Sequence, residues 1–293
     1  MKQLLYIFTL FLNSHGLFGQ AGYSGFIGKY PIELVTHIYS DGIARAIYAY
    51  TNFDEPIVIN GKLQKNKLSL FEKDKNEKNK ASLTFDHFNV TDGKLEGSWT
   101  DLNTGKQLKI SLTQTFDIDN AGNPEWKDRE LLQAASSGNK YFKMIVSKEG
   151  GSSARVTGIK VLEKKTDRLI QQINLDCQLM GLETVSIGDY NFDGIDDLSV
   201  FESSYAGPNT SSLYFLYDRK TGKYFNSGFT GTSLEFDSKT KRVFERNQCC
   251  AGSIVTTAEY KIVNNKMVLI KKRCYKWDDK KEELVERNIK ECN

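Results

Sequence analysis

The stretch that decides the fold is "PIELVTHIYSDGIARAIYAY", Pro31 to Tyr50. Apolar and polar residues alternate on either side of Asp41-Gly42, with the period of two expected of half-buried strands. An Asp-Gly pair between two such runs is a hairpin signal, because Gly readily takes the positive φ of a tight turn. Further strand-like runs follow: "PIVIN", "KLSLFEK", "ASLTFDHF", "KLEGSW" and "KQLKISLTQ". The charged run "KDKNEKNK", Lys73 to Lys80, reads as a solvated hairpin tip between two of them. This spacing predicts an antiparallel meander closed into a small barrel or a sandwich over residues 20–115.

Residues 116–138, "FDIDNAGNPEWKDRELLQAASSG", break the alternation. Asn123-Pro124 can open a helix and Gly138 can end one, so a linker with a short helix is expected there. "DIDNAG" has Ala121 where a third oxygen ligand would stand, and it reads as a turn. From residue 139 to 293 the β pattern returns, in "YFKMIVSK", "SARVTGIKVLE", "LETVSIGDY", "DLSVFESS" and "SLYFLYD". Near the end, "TTAEYKIVNNKMVLIKKRCYKW" is a hairpin turning at Asn264-Asn265, and "ELVERNIK" adds a last strand. The expected fold class is therefore all-β in both halves, with a second antiparallel domain following the first.

The N-terminal "MKQLLYIFTLFLNSHGLFGQ" has one Lys, a short apolar run from Leu4 to Leu12 and small Gly19. That is the form of a secretory signal peptide over residues 1–19, with cleavage before Gln20, and it implies a periplasmic or extracellular protein. No later stretch is apolar for long enough to be a transmembrane segment. A net charge of +3 over 293 residues gives no reason to expect nucleic acid or an anionic membrane surface.

Removal of the signal would leave His37 and His87, both within alternating runs, and that scarcity argues against a zinc site or a Ser-His-Asp triad. No nucleophile elbow, phosphate loop or His-Glu metal motif occurs, so a non-enzyme is expected. All five cysteines, Cys177, Cys249, Cys250, Cys274 and Cys292, lie in the C-terminal half. In an exported chain they allow two disulfides at most and one leftover thiol. Adjacent Cys249 and Cys250 could bond each other or point to opposite faces of a strand.

The clearest chemical motif is "GDYNFDGIDDLSV", Gly188 to Val200. Oxygen side chains recur at alternate positions, Asp189, Asn191 and Asp193, then at Asp197, while the carbonyl of Ile195 supplies a backbone donor. Gly194 allows the sharp turn. Hard oxygen donors without Cys or His suit Ca2+ over a transition metal. Val200 stands where an EF-hand has Glu, and the flanks are strand-like, so an inter-strand calcium loop is expected. Three carboxylates, an amide and a carbonyl nearly saturate the ion, so its expected role is to organise the fold and nearby loops rather than to do chemistry.

Taken in order, "GDYNFDGIDDLSV", "LYFLYDRKTGKYFNS", "LEFDSKTKRVFE" and "AEYKIVNNKMVLI" resemble a family of bacterial exported calcium-loop proteins over roughly residues 140–275. One branch looks like invertebrate-type lysozyme inhibitors, which act as immunity proteins against cell-wall hydrolases; related loops occur in FG-GAP repeats. The resemblance implies the ligands Asp189, Asn191, Asp193, Ile195 and Asp197. It also implies a partner-binding loop within "ESSYAGPNTSS", with Ser203, Ser204, Tyr205 and Asn209 as contacts and Tyr205 and Pro208 replacing much of the family's glycine. "GKYPIELVTHIYSDGIARAIYAY" resembles a β module of secreted Bacteroidetes proteins. The implied function is an exported, calcium-binding, non-enzymatic protein. Its calcium loop would orient the adjacent Tyr205 loop against a protein partner, a peptidoglycan hydrolase that it inhibits. The alternative is a surface adhesion or glycan-binding module using Trp99 or Trp277, although core burial is the ordinary reading of both tryptophans.

Overall fold

The computed structural model describes residues 20–118 and 125–292. The expected signal peptide and the "DIDNAG" turn lie outside that range or straddle its edge.

Eight strands form a closed antiparallel barrel: β1 (Gln20–Ile27), β2 (Tyr30–Ile38), β3 (Ile43–Tyr50), β4 (Ile57–Gln64), β5 (Lys67–Lys73), β6 (Asn79–Phe85), β7 (Lys94–Asp101) and β8 (Gln107–Asp117). Each pairs with its neighbour in sequence, and β8 returns to β1, which leaves no open edge. In the β2–β3 turn Gly42 takes φ 83°, and the Asp41 carboxylate accepts the Ile43 N–H at 2.9 Å. The charged run is an exposed turn between β5 and β6, held by Asp74 accepting the N–H groups of Asn76 and Lys78.

The barrel interior is filled by the inward residues of the alternating runs, among them Leu34, Ile38, Tyr48, Leu70 and Phe85. Strands β2 and β3 also bury side chains on their outer faces. Val35, Ile47 and Ala49 join a second core that continues into the rest of the chain.

Three further antiparallel sheets follow; the first two build that second core, and the third packs on a smaller, separate apolar cluster. The first contains β9 (Trp126–Ser137), β10 (Lys140–Lys148), β11 (Arg155–Glu163) and β12 (Leu169–Gln178). The second contains β13 (Val185–Gly188), β14 (Asp197–Ser204), β15 (Thr210–Asp218) and β16 (Lys223–Asn226). The third contains β17 (Glu235–Asp237), β18 (Arg242–Cys249), β19 (Ile254–Val263), β20 (Lys266–Asp278) and β21 (Glu283–Arg287). Asn264 and Asn265, at φ 50° and 58°, make the two-residue turn between β19 and β20. Among the described residues no helix is long and apolar enough to cross a membrane.

The expected linker helix is a strand. Lys, Arg, Glu, Leu and Ala give residues 125–138 helical propensity, but tertiary pairing overrides it. Strand β9 pairs along β10 with breaks in register, and Asp128 at φ 55° marks one irregularity. The consecutive residues Leu131 and Leu132 are both buried in the core shared with the barrel. A helix over this stretch would leave that edge of β10 unpaired.

Polar contacts reinforce the joint. Lys143 pairs with Glu33 at 2.7 Å, Ser136 donates to Glu55 at 2.8 Å, and the Lys165 N–H donates to Asp54 at 2.7 Å. The Trp126 ring meets the edge of Phe116 at 4.6 Å. The described residues 116–118 and 125–138 are thus a mortised part of the body.

Because one core crosses the boundary, the barrel and the first sheet should unfold together. Near- and far-ultraviolet circular dichroism transitions in urea should coincide. Leu131→Ala should lower unfolding free energy by about 2–5 kcal/mol, whereas exposed Lys127→Ala should change it by less than about 0.5 kcal/mol. Two separated transitions would show an independent barrel.

Candidate functional site

The acidic loop connects β13 to β14 as a strand–turn–strand unit. Gly194 adopts φ 83° and Phe192 φ 64°, which turns the chain sharply between the two strands. The Asp189 carboxylate accepts the N–H groups of Asp193 at 2.9 Å and Gly194 at 2.8 Å. Asn191 Oδ1 accepts the same Asp193 N–H at 3.1 Å, and Asp193 Oδ1 accepts the Ile195 N–H at 2.9 Å. Asn191 Nδ2 donates to Asp193 at 2.9 Å and to Asn265, at the tip of the β19–β20 hairpin, at 3.1 Å. The loop therefore touches the third sheet as well as its own.

Asp197 is 0% exposed and is the first residue of β14. Its two oxygens accept the N–H groups of Tyr190 at 3.0 Å and Tyr217 at 2.8 Å, tying the loop to β15. Burial pushes its pKa up to about 6; the two N–H donors oppose this, and the nearby charges of Asp193 and Asp189 add to it. Among the described residues none of Asp189, Asp193 and Asp197 has an ion-pair partner. The neighbouring Asp196 is exposed and accepts from Ser137 at 2.7 Å.

As a donor set, these residues fit a hard cation: the donors are oxygens, the three carboxylates have no ion-pair partner among the described residues, although Lys241 Nζ lies 3.4 Å from the Phe192 carbonyl, and each carboxylate oxygen keeps a second lone pair beside its N–H bond. Among the described residues no three carboxylate, His or Cys side chains are already gathered as a metal cluster. His37 lies in β2, stacked 4.2 Å from Tyr39, while His87 is in an exposed turn after β6 rather than in a strand.

The loop expected to contact a partner lies elsewhere. Ser203 and Ser204 end β14, so the acidic loop and the Tyr205 loop occupy opposite ends of that strand. At about 3.3 Å per residue, Asp197 and Ser204 are roughly 23 Å apart. The expectation that the calcium loop orients an adjacent Tyr205 loop is therefore corrected: the two are not adjacent but lie a strand's length apart.

Tyr205 is 53% exposed, and its hydroxyl is 3.2 Å from that of Ser211. Asn209 is 8% exposed, so it is turned inward and is not a surface contact. Its amide oxygen accepts the Gln248 N–H at 3.0 Å, and its nitrogen donates to the Gln248 carbonyl at 2.7 Å. This two-way clasp fixes the Tyr205 loop against the turn after β18. Between them lies a cleft of ≈ 280 Å³, lined by Tyr205, Pro208, Asn247, Gln248, Cys249 and Cys250 among others.

The Tyr205 loop and the Cys249–Cys250 turn are distant along the chain, so no local pattern in the sequence pairs them. The doubled cysteine was the one available signal. Of the two tryptophans, Trp99 is partly buried and donates to Glu72 at 3.1 Å, whereas Trp277 is 47% exposed. The reading of Trp277 as a core residue is thus corrected. Cys274 and Cys292 form a disulfide, while Cys177 is buried and free.

Asp197→Ala would strip the acceptor from two partly buried N–H groups. It should destabilise the protein by about 1–3 kcal/mol for each group left unpaired, measured by urea unfolding without calcium. Asp196→Ala should stay within about 0.5 kcal/mol of the parent. Equal effects would contradict the anchoring role of Asp197.

No family model matches the chain, and no curated protein matches it. Among solved structures, a type IV secretion system-related protein from Xanthomonas is 12% identical, covering 92% of this chain and 99% of its own, at TM-score 0.27. A protein from Lactobacillus plantarum is 9% identical, covering 92% and 95%, at TM-score 0.27. The β-propeller domain of the trilobed protease from Pyrococcus furiosus is 12% identical, covering 91% and 83%, at TM-score 0.22. Superposition at these scores does not define a shared fold.

Proposed function

We propose that this chain is an exported, calcium-binding, non-enzymatic protein that captures a protein partner, a peptidoglycan hydrolase, through the cleft beside Tyr205. The observation that carries the reading is a large exposed aromatic on a loop clasped to the next sheet by Asn209. A held Tyr loses little freedom on binding and can bury a large surface, which is how such residues anchor interfaces.

Ca2+ would be held by Asp189, Asn191, Asp193, the Ile195 carbonyl and Asp197. When bound, the ion neutralises that acidic loop and adds stability by binding the folded chain alone. Asp197 already joins the loop to β15, and Asn191 joins it to the third sheet, so the ion acts on how the sheets are held together. It does not touch the Tyr205 cleft at the other end of β14.

Exposed Trp277 favours a second reading, a glycan-binding module, since an exposed indole offers a flat apolar face to a sugar ring.

The test is capture of purified envelope hydrolases by the parent chain, Tyr205→Ala and Asp193→Ala, each with calcium and with EDTA. Tyr205→Ala should weaken capture by tenfold or more, about 1.4 kcal/mol. Calcium at a hundredfold excess over its dissociation constant should stabilise the parent by about 2.7 kcal/mol and leave Asp193→Ala unshifted. Capture by folded Asp193→Ala should persist. Absence of any hydrolase capture would overturn the partner reading, and Trp277-dependent retention on a glycan array would then replace it.

A further inference from the structure

The turn that closes the Tyr205 cleft carries a chemical feature of its own. Cys249 ends β18, and Cys250 begins the short turn before β19. Their sulfurs are 2.9 Å apart, and both side chains are exposed. No other cysteine is available to either within the chain: Cys274 and Cys292 are bonded to each other, and Cys177 is 0% exposed inside the core of the first sheet. The backbone is already bent to bring the two sulfurs together. Cys250 and Ala251 hold φ 57° and 54°, a left-handed conformation that residues with a Cβ disfavour, and Gly252 follows at φ 89°. The turn is anchored at both ends. Asn209 clasps Gln248 immediately before it, and the Trp277 N–H donates to the Ser253 carbonyl at 2.8 Å immediately after it.

We propose that Cys249 and Cys250 form a vicinal disulfide site, closed by exchange with a low-molecular-weight disulfide, whose ring is a wall of the Tyr205 cleft. One cysteine thiolate attacks a sulfur of the reagent, breaking its S–S bond and releasing one thiol. The second cysteine attacks the mixed disulfide, forming the Cys249–Cys250 bond and releasing the second thiol. Two cysteine sulfurs are oxidised, two reagent sulfurs are reduced, and the two cysteine protons end on the released thiols.

The residues lining the cleft include no Lys, Arg or His to favour a thiolate. The hydrogen bond shared with the Cys250 sulfur also holds the Cys249 thiol above its ordinary range. These surroundings suit a bridge that persists once made, not a catalytic dithiol that turns over. Closure replaces two S–H groups with an apolar sulfur face opposite Tyr205 and prevents the turn from relaxing out of its left-handed bend. The chemistry stands without a partner; only its consequence for docking rests on the Tyr205 reading.

The purified chain is incubated with oxidised glutathione, then denatured, alkylated and peptide-mapped. The expected result is one peptide containing both Cys249 and Cys250, unalkylated and lighter by two hydrogens, with Cys177 alkylated and Cys274 linked to Cys292. Alkylation of both residues, a stable glutathione adduct on either, or a link to Cys177 or to a second chain would overturn the proposal. Hydrogen exchange then reads the effect on the cleft. The Gln248 amide should exchange at least threefold more slowly in the oxidised chain than after mild reduction, and Cys250→Ser should match the reduced rate while keeping the parent circular dichroism spectrum. Equal rates in all three would refute a ring that holds the turn. Hydrolase capture by Cys250→Ser, compared with the parent and Tyr205→Ala, separates the claims: loss only with Tyr205→Ala leaves the bridge intact and removes its docking role.

Discussion

Strand β15 carries large apolar side chains on both of its faces, and the C-terminal part of the chain is arranged around that fact. Leu213, Phe215 and Tyr217 turn toward the core shared with the first sheet and the barrel. Tyr214 and Leu216 turn the other way, onto Phe229, Phe236, Ile262 and Met267. A strand apolar on both faces is stable only if it is covered on both, so one sheet must pack on each side. The aromatic layer on the second side is close: Phe236 lies 4.9 Å from both Tyr190 and Tyr214. The acidic loop is built into this layer, since Tyr190 belongs to it and Asp197 takes the N–H of Tyr217.

The barrel is joined to these sheets by the same logic. Its strands β2 and β3 are buried inside by the barrel core and outside by β9 and the first sheet. Leu131 and Leu132 close that outer face, and the Glu33–Lys143 pair sits at its rim. Partly exposed ion pairs of this kind add little stability; burial of apolar area does most of the holding, and the charges fix how the surfaces meet. The molecule is therefore a chain of layers in which each sheet serves as a wall for the next.

This layering separates the two features singled out by sequence. The acidic loop and the aromatic loop, which follow closely along the chain, are held at opposite ends of one strand, because a β-strand is an extended spacer. The aromatic loop instead meets a turn from another sheet, through the Asn209–Gln248 clasp. Any coupling between the acidic loop and the cleft has to pass along β14 and β15 or through the third sheet, which meets the loop at Asn265 and the cleft at the Cys249–Cys250 turn.

Local signals determined the parts that depend on local physics. Alternation of side chains, Asp41-Gly42 and Asn264-Asn265 announced strands and hairpins, because a turn's backbone angles and a strand's period of two are set within a few residues. The spacing of Asp189, Asn191, Asp193 and Asp197 announced an oxygen-rich loop for the same reason. Tertiary structure alone decided that residues 126–137 are a strand, since helical propensity there is weaker than the pairing and burial offered by β10 and the barrel. It alone turned Asn209 inward, exposed Trp277, and brought the Cys249–Cys250 turn beside Tyr205. Those outcomes depend on which sheet covers which face, and contacts between segments distant in sequence leave no periodicity to read.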